Sequence, residues 1–195
     1  FQRQPGGGLS IHARPLRAGD LAPTFATHAS GLINSQRLFS QRFGHFEMRA
    51  RLPRGRGFWP AFWLLPSAGG WPPEIDVMEV LGHDPRTLVV SVHATEEGRR
   101  LTLSQAVRAP DLSADFHTFG ASWTAEHIRF FLDDVEVHSF PAPPSLRRHA
   151  MYMLANLAVG GPGSWPGAAA ANLTGSLDIA WIRAWQFADL LAGSG

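Results

Sequence analysis

The sequence predicts an all-β fold, a two-sheet sandwich or a barrel, built as one domain over residues 1–195. Three observations support this. Short runs alternate apolar and polar residues with a period of two, Gly and Pro clusters separate those runs, and no stretch carries a convincing amphipathic helical pattern. Ala168–Ala171 is too short to count as a helix. No internal repeat or low-complexity linker divides the chain, and 195 residues suffice for one substantial hydrophobic core.

Taken in order, Gly6-Gly7-Gly8 reads as a flexible start and Gly31–Gln36 as the first strand. Phe46, Met48, Ala50 and Leu52 alternate with His45, Glu47, Arg49 and Arg51, which gives a strand with one buried face. Arg54–Gly57 breaks the chain before a strand at Trp59–Leu65, and Ser67–Pro73 breaks it again before Glu74–Glu79. Strands are expected at Thr87–Ala94, Leu101–Val107 and Thr118–Trp123. Ile128, Phe130 and Leu132 repeat the alternation, and Asp133-Asp134 turns the chain into Val135–Phe140. After Pro141–Pro144 comes Met151–Leu157. Beyond the Gly160–Gly167 loop, Leu177, Ile179, Trp181, Trp185 and Phe187 mark a last strand with one apolar side.

The run Glu74-Ile75-Asp76-Val77-Met78-Glu79 sets three acids inside an apolar strand, where crowded negative charge is costly. Glu74 and Asp76 share a face, whereas Glu79, five positions from Glu74, would point the other way in a regular strand. One extra residue, a β-bulge, would bring it round to join them. Three carboxylates on one face cannot all stay ionised at neutral pH, so their pKa values separate. A proton donor beside a nucleophile is what retaining glycoside hydrolysis requires. Trp59, Trp63 and Trp71 lie close by in sequence and Trp165 in a later Gly/Pro-rich loop, and indole rings suit the flat C–H faces of sugars.

Other chemistries lack their motifs. There is no G-x-S-x-G elbow and no P-loop. His83 and His93 follow the acids without the helical spacing of a zinc site, so no catalytic metal is expected. With a net charge of +1 and no aromatic-interleaved basic stripe, nucleic acid is not an expected partner; Arg99-Arg100 and Arg147-Arg148-His149 read as solvated turns. No run of eighteen apolar residues suggests a membrane span. The absence of Cys rules out disulfides and thiolate metal sites.

The acid motif, with Phe58-Trp59-Pro60-Ala61-Phe62-Trp63-Leu64-Leu65 and Trp71-Pro72-Pro73 before it, resembles glycoside hydrolase family 16. The likeness runs over roughly residues 30–186, through Phe43–Ala50, Val92-His93, Met151–Gly161 and Trp181–Trp185. It implies a concanavalin A-like β-jelly-roll sandwich with a concave cleft holding a polysaccharide. It also implies endo-acting, retaining cleavage of internal β-1,3 or β-1,4 linkages in a β-glucan or bacterial exopolysaccharide. By resemblance Glu74 is the nucleophile, Asp76 its assistant and Glu79 the acid/base, and His93 and Asn156 fall on positions that line the family's cleft; with Trp59, Trp63, Trp71 and Trp165 they are the expected substrate-binding residues. A transglycosylase and a non-catalytic glycan-binding module remain the rival readings. The resemblance further implies a secreted protein, extracellular or periplasmic, expected to act as a monomer. The chain is expected to start after the family's usual first strand, and Ala180 stands where the last strand usually carries an Asp. The structural calcium bound at those two places is therefore expected to be absent or held differently, and no other cofactor is expected. An acidic polymer would be favoured if Arg49 or Arg86 lined the groove.

Overall fold

The computed structural model describes residues 1–24 and 26–188; residues 189–195 of the expected domain lie outside the described residues. The strands are β1 (Gln2–Arg3), β2 (Leu9–Pro15), β3 (His28–Ala29), β4 (Gly31–Asn34), β5 (Gly44–Arg51), β6 (Phe58–Pro66) and β7 (Glu74–Leu81). They continue with β8 (Asp84–Glu96), β9 (Arg99–Arg108), β10 (His117–Trp123), β11 (His127–Leu132), β12 (Val135–Pro141), β13 (Met151–Val159) and β14 (Gly175–Trp185). A 3-10 turn over Pro144–Arg148 leads into β13.

The larger sheet runs β1-β2-β14-β5-β10-β11-β12, with β3 beside β2, and the smaller runs β4-β13-β6-β7-β8-β9. Every pairing is antiparallel. Both sheets turn their apolar rows inward. Phe46, Met48, Phe119, Trp123, Phe130 and Leu177 on one side meet Phe62, Leu64, Ile75, Met78, Val90 and Val92 on the other, all effectively sealed from solvent. At roughly 1.5–3 kcal/mol for each fully buried large side chain, this layer is the main stabilising term, and it leaves the outer sheet faces free for polar work. The fold is thus the sandwich, not the barrel.

Besides the unexpected two-residue strands β1 and β3, three elements depart from the sequence reading. Leu9–Pro15 is a strand paired to β14, where no strand was expected. The first expected strand stops at Asn34, because Leu38 and Phe39 bond back to the Ser35 carbonyl and close a turn. In β14, Ile179 faces Ala50 and Trp181 faces Arg49, so Ala180 is an extra residue. That bulge reverses the pattern after it: Ile182 and Ala184 pack on the core, whereas Trp181 and Trp185 face outward and Phe187 lies past the strand end.

Candidate active site

The decisive local feature is the register of β7. Asp76 lies opposite Ser91 and Glu79 opposite Val89 on β8, three steps on one strand against two on the other. On the other side, Trp63 faces Asp76 and Phe62 faces Met78. Val77 is therefore the additional residue, a bulge. Val77 and Met78 are both buried, at 1% and 0% exposure, so Ile75, Val77, Met78 and Val80 all enter the core. Burying the second of two adjacent apolar side chains gains about 1.5–3 kcal/mol, more than the roughly 0.5–1.5 kcal/mol net of the ladder bond a bulge disrupts. The apolar residues thus drive the bulge, and the bulge turns Glu74, Asp76 and Glu79 to one outward face.

Each acid has an indole or imidazole neighbour. Trp71 Nε1 donates to Glu74 Oε2 at 2.8 Å, and Trp59 Nε1 donates to Glu79 Oε1 at 3.0 Å. His93 Nε2 stands 3.2 Å from Asp76 Oδ2, in ion-pair range but without hydrogen-bond alignment, while its Nδ1 meets Thr102 Oγ1 at 2.9 Å. Trp63 Nε1 donates to Asn156 Oδ1 at 2.8 Å. Burial, then the charge of Asp76 and a hydrogen bond with it, push Glu74 up to about 7 against the pull of Trp71 and His93. Asp76, 4% exposed, rises to about 8 through burial and the charge of Glu79. Glu79 is raised by burial and by Glu74, against the Trp59 hydrogen bond. At neutral pH this face therefore retains a proton, and Glu74 and Asp76 share it across their hydrogen bond. Glu74, Asp76 and His93 also bring one possible ligand atom each within 4.8 Å of one another, enough to hold a cation.

Trp59, Trp63, Glu74, Asp76, Glu79 and Asn156 line one depression of about 230 Å³, closed by Ala61 and Ala158. Trp165 packs edge-on against Trp59, ring centroids 5.2 Å apart at 85°. Trp71, half exposed, lies 5.9 Å from the His93 ring at the Glu74 side. The structure thus gathers all nine expected site residues on or beside one sheet face. It leaves others elsewhere. His83 sits in the exposed turn after β7, and Arg49 belongs to the larger sheet, reaching Thr118 Oγ1 at 3.4 Å. Arg86 is exposed, 3.9 Å from Asp111. Arg100 is not in a turn: it is the second residue of β9 and sets its guanidinium 4.8 Å from the centroid of the Trp71 ring. Counting the alternation back from Thr102, the partner of His93, would have placed it on this face.

The sequence model described as Glycosyl hydrolases family 16 matches residues 10–183. The chain belongs to that family. Among curated relatives, it is 42% identical over 156 residues to Endo-1,3-1,4-beta-glycanase EglC of Rhizobium meliloti, covering 80% of this chain. To Endo-1,3-1,4-beta-glycanase ExsH of the same organism it is 44% identical over 139 residues, covering 71% of this chain. The chain spans 33% and 30% of the lengths of those two proteins. The laminarinase catalytic domain of Thermotoga maritima superposes with a TM-score of 0.79 at 29% identity, covering 92% of this chain and 78% of that one. The two sheets are accordingly a family 16 jelly roll.

Proposed function

We propose that this family 16 chain is an endo-acting, retaining glycoside hydrolase that cleaves internal β-1,3 or β-1,4 linkages of a β-glucan or a related exopolysaccharide. The observation that carries the reading is the bulge at Val77, which puts three acids on one face among Trp59, Trp63 and Trp71. The names of the two Rhizobium relatives agree with it. In the first step Glu79 gives its proton to the glycosidic oxygen while a Glu74 oxygen bonds to the anomeric carbon and the C–O bond to the leaving sugar breaks. Glu79, now a carboxylate, takes a proton from water, which attacks the same carbon and releases Glu74. For attack, the proton of this coupled pair must lie on Asp76, which leaves Glu74 ionised beside it. A polymer of this kind places the work outside the cytoplasm, which fractionation of the source cells tests.

Reducing-sugar release from laminarin and mixed-linkage glucan is the primary assay. Glu74→Gln should lower kcat by at least three orders of magnitude, about 4 kcal/mol of transition-state stabilisation, with polymer binding retained. A Glu74→Gln variant of near-normal rate would refute the assignment. Adding azide to Glu74→Ala should yield a glycosyl azide of inverted anomeric configuration. Products longer than the substrate would instead identify a transglycosylase.

A further inference from the structure

The face that carries the acids extends beyond them to the edge of the smaller sheet. Glu74 pairs with His93, and His93 pairs with Thr102 on β9, so these three side chains share a face. Arg100 is two residues from Thr102 on the same strand and therefore stands on that face too. Its guanidinium lies over Trp71, the same indole whose N–H binds Glu74. Arg100 is exposed, and among the described residues it forms no ion pair. On the same hairpin, Glu96 accepts a hydrogen bond from the Ser145 N–H. Stacking on an indole fixes the plane of a guanidinium while leaving its in-plane N–H donors free, which preorganises the fork that binds a carboxylate with two bonds.

We propose that Arg100, held on Trp71, is a specificity-determining residue that binds a carboxylate borne by the glycan at the Glu74 end of the cleft. This rests on the hydrolase reading above and names the substrate class it favours: an acidic β-glycan. A sugar seated by Trp71 would present a uronate or a pendant acidic group to Arg100. The guanidinium would also offset the negative charge that the three acids hold out toward such a polymer.

The test uses one β-1,3-glucan in three forms: unmodified, oxidised at C6 to uronic acid, and carrying pendant carboxymethyl groups. For the wild type, kcat/KM should be higher on at least one acidic form than on the neutral one, and the advantage should shrink as salt is added. In Arg100→Gln the acidic-to-neutral ratio should fall roughly tenfold or more, the scale of a charge-assisted hydrogen bond. Arg108→Gln removes the same charge from the same strand and face, roughly 27 Å further along, and should leave the ratio intact. A wild type without preference for either acidic form, a parallel decline of both rates in Arg100→Gln, or an equal effect of Arg108→Gln each overturns the proposal. Affinity electrophoresis through gels containing the acidic polymers separates this idea from the hydrolase reading. Stronger retardation of the wild type than of Arg100→Gln supports the site even where nothing is cleaved, and absence of cleavage then counts against the hydrolase alone. Equal retardation removes the site.

Discussion

Glu79 is held between opposing influences: burial and the charge of Glu74 favour its acid form, while the Trp59 indole N–H favours the carboxylate. An acid/base catalyst needs both forms within reach of working pH, and this balance provides it. Trp59→Phe keeps an aromatic, though smaller, ring and deletes the donor, so the pKa of Glu79 should rise further. The alkaline limb of kcat/KM, which reports loss of the Glu79 proton, should then move to higher pH by a few tenths of a unit to about one unit, a displacement that the loss of sugar contact alone would not produce. A limb that stays in place would deny the hydrogen bond its tuning role. At this scale the residue types were readable from the sequence, because acids in an apolar run and Trp beside Gly and Pro stand out. Their partners were not: that Trp63 binds Asn156, 93 positions away, follows from β6 and β13 lying side by side. Arg100 looked like half of a solvated basic pair because nothing local to it records Trp71.

The bulge in β7 is the element on which the site depends. A strand has a strict period of two, so removing the extra residue flips everything beyond it. Deleting Val77 should turn Glu79 toward the core or expel Glu74 and Asp76 from the shared face, and hydrolysis should fall to background. Val77→Ala keeps the residue count and therefore the bulge; it should cost about 2 kcal/mol of stability in chemical denaturation and leave kcat within a fewfold of wild type. Comparable activity in both variants would mean that register does not assemble the site. This bulge was legible because only an irregular strand unites its acids. The bulge at Ala180 was not, since apolar residues continue through it and imply no reversal. Leu9–Pro15 shows plain alternation that the sequence reading passed over, and its pairing with β14 is what establishes the strand.

For the molecule as a whole, the acidic face is a source of instability. Glu74 and Asp76 have ordinary pKa values near about 4 when unfolded and about 7 and 8 when folded. Between those limits the native state holds protons that the unfolded chain has released, so stability falls as pH rises from about 4 through 8. Asp76→Asn removes one of these titrations. Its Tm should exceed that of the wild type by at least about 3 °C at pH 8, roughly 1 kcal/mol for a chain of this size, with little difference at pH 4, while kcat drops. An equal gain at both pH values would assign the effect to packing. On the hydrolase reading proposed above, this cost is offset by the proton that catalysis requires at this face.

Alternation along the chain is a local property, set by the two-sided strand, so the sequence alone determined the all-β class, most strand positions and the crowding of three acids in one strand. Which sheet a strand joins, how β14 reverses its faces and which arginine reaches the cleft depend on contacts between residues far apart in the chain. Those are decided by the packing of two apolar layers, which no window of the sequence contains.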